Sequence, residues 1–198
     1  MPFWEYELRA ERLCLGERMK GGLFRPCDTH AIRYSAVTGA LRSVFGGDLH
    51  AAGYFLESPD HNRVEYLTYS PRDDATGVSK LPLTIQFLAD VLGRVVVNTP
   101  QEPLPETFEL CMGAMKSHGL GRCQFRLRGP AKTEQVRGRL LTRLPVHRAV
   151  DFEVQRVIAP IYGYLFEPTS PLSGEYVLAL FEGSEVYGPQ CLVKEENL

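Results

Sequence analysis

Residues 3–12 constrain the fold more than any other stretch of the chain. Trp4, Tyr6, Leu8 and Ala10 alternate with Glu5, Glu7, Arg9 and Glu11. A strand turns successive side chains to opposite faces, which is a period of two. The stretch is therefore expected to form a strand that buries one face and wets the other. Ala51–Glu57, Val64–Tyr69, Leu83–Phe87 and Cys123–Arg128 read as further strands. Val95–Val97 either extends the Leu83–Phe87 strand or forms one of its own, and periodicity leaves both open.

A helix is expected from about Ala31 to Phe45. Val37, Ala40, Leu41, Val44 and Phe45 make one apolar stripe, Asp28 or Thr29 stands where a cap belongs, and Gly46-Gly47 stops it. A second helix is expected after Pro103 and Pro105. Glu106 and Glu109 fall in its early turns, Phe108, Cys111, Met112 and Met115 supply its stripe, and it ends at Ser117–Gly121. Residues 58–81 are polar and irregular around Val64–Tyr69 and read as an insertion that projects from the core.

The order strand, helix, strand, insertion, strand, helix, strand is the split βαβ pattern. The expected fold is thus α/β of the α+β kind: a ferredoxin-like (RRM-like) βαββαβ unit over residues 1–129 with an antiparallel sheet and a hairpin inserted at about 58–81. Residues 130–198 contain short β-like segments at Gln135–Leu144, Phe152–Ile158, Tyr162–Phe166 and Tyr176–Phe181, and are expected to form a β-rich extension packed on that unit. RNA-recognition modules share this architecture, but a fold alone assigns no function, and the aromatic signature of an ordinary RNA-recognition motif is absent.

Composition excludes several classes. With 198 residues, 44% hydrophobic and 23% charged, the chain can bury roughly 70% of its extended surface without staples. No apolar run approaches the ~20 residues that span a bilayer. Met1–Arg12 alternates charged and apolar residues, unlike a secretory leader. A cytoplasmic protein without membrane contact is expected. Cys14, Cys27, Cys111, Cys123 and Cys191 contain no CxxC pair, which argues against a disulfide framework and against zinc. Walker A, HExxH and GxSxG are absent, and Asp60 and Asp73-Asp74 read as solvated turn residues. No cofactor and no metal are expected.

The formal net charge of -2 hides an asymmetry. Lys116–Arg148 holds nine Lys or Arg residues against Glu134, whereas Ala149–Leu198 holds eight acids against Arg156 and Lys194. A basic middle can neutralise phosphates through counterion release. An acidic end suits a basic protein, or simply solubility. Two solvated faces of opposite sign account for the same pattern.

The most informative local motif is Met115-Lys-Ser-His-Gly-Leu-Gly-Arg-Cys-Gln-Phe125. Two close glycines between an expected helix and a basic strand permit positive φ and close backbone approach. Exposed amides in such a loop can bind phosphate, and the alternative is an ordinary helix C-cap. Helix, glycine-rich loop and basic strand together resemble the RAMP superfamily of CRISPR-associated proteins. Gly119-Leu-Gly-Arg122 resembles its glycine-rich loop, and Tyr34-Ser-Ala-Val-Thr-Gly-Ala-Leu-Arg42 is similar to its first helix. The tail, with Gly174-Glu-Tyr-Val-Leu-Ala-Leu-Phe-Glu-Gly-Ser184, resembles the end of the subunit type that grips the 5′ end of a guide RNA.

The resemblance implies a non-catalytic subunit of a CRISPR interference complex, type III-like with types I and IV as alternatives. Such a subunit anchors the repeat-derived 5′ handle of the CRISPR RNA. It contacts the large subunit and a backbone RAMP subunit, and meets target nucleic acid only through the guide. By that likeness Lys116, His118, Gly119, Gly121, Arg122 and Arg126 lie at the RNA. Lys20 and Arg25 in the first loop, beside Arg18, and Arg42 on the helix are further candidates, Arg42 being equally readable as a structural cation. The insertion resembles a thumb-like hairpin with Tyr66, Tyr69 and Arg72 as its tools, and packing against a partner is the equal alternative.

Two other functions stay open. Some RAMP relatives cut precursor guide RNA without metal, using histidine as general acid or base. Of His30, His50, His61, His118 and His147, His30 lies near Lys20 and Tyr34 in sequence and is the catalytic candidate of that alternative. The glycine-rich loop falls in the middle of the chain, which favours the handle-binding type. The second alternative is a protein-interaction subunit without RNA contact.

Overall fold

The computed structural model describes residues 2–16, 23–99, 102–168 and 173–195. Its elements, in chain order, are β1 (Phe3–Leu13), β2 (Phe24–Arg25), β3 (Ala31–Ile32), α1 (Tyr34–Phe45), β4 (His50–Phe55), β5 (Arg63–Tyr69), β6 (Leu83–Asn98), β7 (Thr107–Cys111), β8 (Arg122–Pro130), β9 (Gln135–Leu140), β10 (Leu144–Pro145), β11 (Arg156–Ala159), β12 (Tyr162–Pro168), β13 (Gly174–Leu180), β14 (Glu185–Pro189) and β15 (Val193–Glu195). The architecture is α+β and rich in antiparallel strands. The main sheet runs β3-β4-β6-β1-β8-β7, with β2 and β5 also paired to β6.

β1 forms where the alternation places it, and at the centre of the sheet. It pairs antiparallel with β6 on one edge and with β8 on the other. Tyr6 and Leu8 are wholly buried with Val37 and Leu41 of α1 in one apolar cluster. Burying side chains of this size stabilises by about 1.5–3 kcal/mol each, and that is what fixes the register of a strand with one apolar face.

α1 starts three residues later than the sequence suggests, because Ala31 and Ile32 pair with β4 before the helix begins. Arg33 occupies the N-cap position without a side-chain cap. The buried stripe is Tyr34, Val37, Thr38 and Leu41, and Val44 is exposed instead. Thr38 is accepted there because its hydroxyl donates to the Ala51 carbonyl at 2.8 Å and accepts from the Ala51 amide at 2.9 Å. Gly46 and Gly47, with φ of 68° and 74°, end the helix as expected.

The second expected helix is not formed. Thr107–Cys111 is strand β7, paired to β8 at the edge of the sheet. Phe108 and Leu110 fit a period of two as well as Phe108, Cys111 and Met112 fit a helical one. The strand prevails because Phe108 stacks on Phe125 of β8 at 4.8 Å and 7°. The chain then reverses through Met115 (φ 60°), which a helix excludes. Leu83–Phe87 and Val95–Val97 belong to one strand, β6, 16 residues long. Its first half pairs with β5 to make the expected hairpin, and its second half pairs with β4.

The C-terminal part makes a sheet β11-β14-β9-β15 and a sheet β10-β13-β12. Leu140, Leu144, Phe152, Leu180, Val186 and Leu192 form a core that includes Phe3, Tyr34, Ala52 and Val96 of the N-terminal part. A buried ion network adds direction to that contact. The fully buried Asp28 carboxylate accepts from Arg33 at 2.9 Å and from Arg143 at 2.6 Å, and Arg143 also holds Glu182. Asp28 also accepts the His30 and Ala31 amides, so it secures the turn before α1 instead of capping the helix. Among the described residues no helix is long and apolar enough to cross a membrane.

Removing one partner of a buried ion network leaves uncompensated charge, at about 3–5 kcal/mol. Asp28→Ala is therefore expected to lower the unfolding free energy by that order, read as a lower urea midpoint, leaving Arg33 and Arg143 opposed. An unchanged midpoint would remove the network from the account of how the two parts are joined.

Candidate nucleic-acid interface

α1 covers one face of the main sheet. On the other face the C-terminal core covers only the end marked by Phe3, Ala52 and Val96. Among the described residues the rest forms two adjoining clefts of about 470 and 790 Å³ that share Arg9 and Gln124. Arg122, Gln124, Arg126 and Arg128 follow one another along the exposed face of β8, as strand periodicity requires. Glu7 and Arg9 stand beside them on β1, where Glu7 is opposite Arg126 and Arg9 opposite Gln124.

Glu7 is the electrostatic centre of this face. Its carboxylate meets Arg9 at 2.8 Å, Arg94 of β6 at 3.1 Å and Arg128 of β8 at 3.6 Å. The Arg9 hydrogen bond holds the Glu7 carboxyl below its usual range against the opposing effect of burial, and Arg94 and Arg128 add to it. Arg122 donates twice to Glu109, at 2.9 and 2.7 Å, in an exposed, solvent-screened pair. Lys116 and Arg126 are exposed and make no ion pair among the described residues. The clefts also contain Glu11, Asp90, Glu106 and Glu109, so their charge is mixed.

The glycine motif closes one end of the upper cleft. Lys116–His118 is a single 3-10 turn, followed by Gly119 with φ 80°. Gly119 lines the cleft, with open space where a side chain would begin. Gly121, at φ 90°, serves packing: a Cβ there would lie 2.2 Å from the Met112 carbonyl oxygen. Its amide donates to Arg12 at 2.8 Å and its carbonyl accepts the Met112 amide at 2.9 Å. The motif is thus a tight strand-to-strand connection in which Gly119 caps one 3-10 turn in the left-handed conformation, its amide donating to the Lys116 carbonyl, and it does not end the expected α-helix. Buried Leu120 anchors it to Cys14, Ile85 and Phe87 beneath the β5–β6 hairpin. His118 packs on Tyr69 of that hairpin, ring centroids 4.9 Å apart.

The structure brings Lys116, His118, Gly119, Gly121, Arg122 and Arg126 together on this turn and strand. Arg25 is apart from them: it lies on β2 beside Ile85 and lines neither cleft. Arg42 lies on α1, across the sheet, and donates to the Leu49 carbonyl at 2.8 Å and to Asp48 at 3.2 Å. Lys20 falls outside the described residues. His30 is exposed, and Tyr34, its neighbour in sequence, is engaged elsewhere: the Tyr34 hydroxyl lies 2.6 Å from His50 Nδ1.

Sequence reasoning missed the His50 cluster. His50 stacks on Tyr34, with Arg42 at 3.3 Å and Asp151 at 3.8 Å. Burial is the main cause that lowers its pKa, opposed by Asp151. No local pattern links residues 34, 50 and 151; only the packing of α1, β4 and the C-terminal part unites them. Sequence reasoning also missed Glu7, which reads as one more residue of a wetted face.

No family model matches the sequence, and no curated protein matches it. Solved structures do share the fold. A chain in a cryo-EM structure of the Type III-B Cmr-beta complex bound to cognate target RNA is similar over 92% of this chain and 86% of its own, at 9% identity and a TM-score of 0.60. A chain in the same complex bound to cognate target RNA and AMPPnP gives the same coverage and identity and a TM-score of 0.57.

The two glycines predict different outcomes. Gly119→Ala, in open space, should cost about 1 kcal/mol for its positive φ alone. Gly121→Val adds a backbone clash to a β-branched residue at positive φ and should cost about 3 kcal/mol or more, read as a fall in melting temperature. Equal losses would contradict the packing role of Gly121. His50 sets a pH dependence. Its lowered native pKa means that the unfolded chain takes up a proton near 6.5 while the native chain resists. Stability should fall as pH drops from neutral through 6.5, until the native ring protonates. His50→Gln should flatten that slope in urea titrations; an unaltered slope would assign it to other groups.

Proposed function

We propose that this chain is a non-catalytic RNA-binding subunit of a CRISPR effector complex, anchoring the 5′ handle of the guide RNA and packing against neighbouring subunits. The observation that carries the proposal is the open cleft along β8, with exposed cations at Arg122 and Arg126 and the turn of Lys116 and Gly119 at its end. The fold shared with Type III-B Cmr-beta chains supports it. Residues 1–129 are assigned to a ferredoxin-like RAMP unit. The order β4-β6-β1-β8 supports this, because those strands are second, third, first and fourth of a βαββαβ arrangement whose second helix is replaced by β7. Residues 130–198 are the extension packed on it.

In this role the cations position phosphates and the exposed backbone at Gly119 approaches the strand closely. A phosphate at Arg122 competes with Glu109, a partner held only by an exposed pair. Tyr66 on the β5–β6 hairpin is the exposed aromatic available for stacking, whereas Tyr69 is taken up by His118. Mixed charge in the cleft limits the affinity of the isolated chain, so neighbouring subunits complete the grip. That accords with a net charge of -2.

The test is RNA retention by the chain purified with the products of its neighbouring genes. Lys116→Glu with Arg122→Glu should reduce retained guide RNA about tenfold and weaken its salt dependence, with the melting temperature kept because both side chains are exposed. Unchanged retention would favour a protein-interaction subunit without RNA contact. Cleavage of repeat RNA abolished by a single histidine substitution would favour the endoribonuclease instead.

A further inference from the structure

The outer face of the sheet β11-β14-β9-β15 gathers cations around one aromatic ring. Arg156 of β11 stands opposite Tyr187 of β14, and Tyr187 stands opposite Arg137 of β9. In the next row Glu185 of β14 stands opposite Arg139 of β9, and Arg139 opposite Lys194 of β15. Residues directly opposite in an antiparallel pair share a face, and so do residues two apart along one strand. The other face is apolar: Val136, Leu140, Val186 and Val193 pack with Phe3, Ala52 and Val96 of the main sheet. The row of Arg156, Tyr187 and Arg137 therefore looks away from that core, and all three residues are exposed.

Charge and ring lie on the same face, and together they select the occupant. Arg156 and Lys194 are the only bases of Ala149–Leu198, and both fall on this face beside Arg137 and Arg139. An otherwise acidic segment thus makes the face positive against its own composition. The carboxylate within these rows, Glu185, is held by Arg137. Lys194 reaches Glu57 at 3.8 Å in an exposed pair, and Arg156 makes no ion pair among the described residues. A second copy of the chain, docked face to face, brings like charges together. An acidic protein meets the cations but has no use for a ring set between them. A nucleotide within a strand presents a base with a phosphate on either side, and this face presents a ring with a guanidinium on either side. Single-stranded RNA stacks its bases on such aromatic platforms while cations track its backbone. A guanidinium has five N–H donors, so Arg137 can serve a phosphate and Glu185 together.

We propose that single-stranded RNA crosses the outer face of this sheet, with one base stacked on Tyr187 and the flanking phosphates held by Arg137 and Arg156. The strand is the guide RNA of the role proposed above, on which this inference rests for the identity of the RNA. The surface is separate from the β8 site, since none of these residues lines either cleft.

The test titrates the full chain with fluorescein-labelled oligouridine at several salt concentrations, read by anisotropy. Arg156→Gln should weaken binding about fivefold and lower the salt slope by about 0.7, the share of one phosphate on a single strand. Tyr187→Leu should weaken binding about tenfold with the slope unchanged, because stacking releases no counterions. Both positions are exposed, so the melting temperature is kept. In the assembly purified with the products of neighbouring genes, both variants should lower guide RNA per chain and keep every protein subunit. A wild-type chain that does not bind oligouridine overturns the surface. So do variants that bind RNA as the wild type does, and loss of a protein subunit in their place assigns the face to an acidic protein. If those variants are silent while Lys116→Glu with Arg122→Glu loses guide RNA, the β8 anchor stands without this surface. The expected losses at Arg156 and Tyr187, with Lys116→Glu and Arg122→Glu silent, support this surface and sink the β8 anchor.

Discussion

Strand β1 is hydrogen-bonded along both edges and buried on one face, and the other elements take their places from it. A central strand must satisfy its amides and carbonyls on two sides, which β6 and β8 do in antiparallel register. Its apolar face sets where α1 packs. Its polar face sets the chemistry of the cleft, because Glu7 sits where three strands present an arginine each. Arg9, Arg94 and Arg128 compensate a carboxylate whose charged form burial disfavours. The same ring of ion pairs ties β6, β1 and β8 together on the side that α1 does not cover.

Legibility followed the range of the interaction. The strand β1, the helix α1 with its glycine stop, and the β5–β6 hairpin rest on neighbours within a few residues, and their patterns showed in the sequence. β7 did not, because five residues satisfy both periods and the edge of β8 decides between them. Asp28 looked like a cap by spacing. It is occupied instead by Arg143, 115 residues away, which no local rule anticipates. The candidate site divides in the same way. Lys116, Gly119, Arg122 and Arg126 lie within one turn and one strand and were legible together. Arg42 was singled out by a motif on α1, but its helix packs on the far side of the sheet and its guanidinium closes the turn into β4. The pairing of Tyr34 with His50 depends on tertiary packing alone.

The glycine motif shows how a correct residue choice can rest on a different mechanism. Both glycines were expected at positive φ, and both have it. Only Gly119 borders the cleft. Gly121 lets the Met112 backbone pass at a distance no side chain allows, so that β7 can turn back against β8. Without that crossing the basic row of β8 would lose its edge partner, and Leu120 would lose its seat under the hairpin. Gly121 thus acts on the cleft through the geometry of the turn, and Gly119 through the surface it leaves open.

The charge asymmetry of the sequence resolves into two surfaces with different chemistry. Much of the basic middle is paired internally: Arg143 in the buried network, Arg137 on Glu185 and Arg128 on Glu7. What stays outward-facing lies on β8 with the turn before it and on the outer face of β9. Of the acidic third, Glu182 and Glu185 are engaged in the same pairs and Asp151 in one with Arg148. A cleft with a few free cations binds phosphates weakly and with salt sensitivity. In the proposed role, contact with a neighbouring subunit raises the effective concentration of the strand at such a cleft. Under the proposed role, weak charge in the cleft is compatible with RNA retention in an assembly, where neighbouring subunits share the grip.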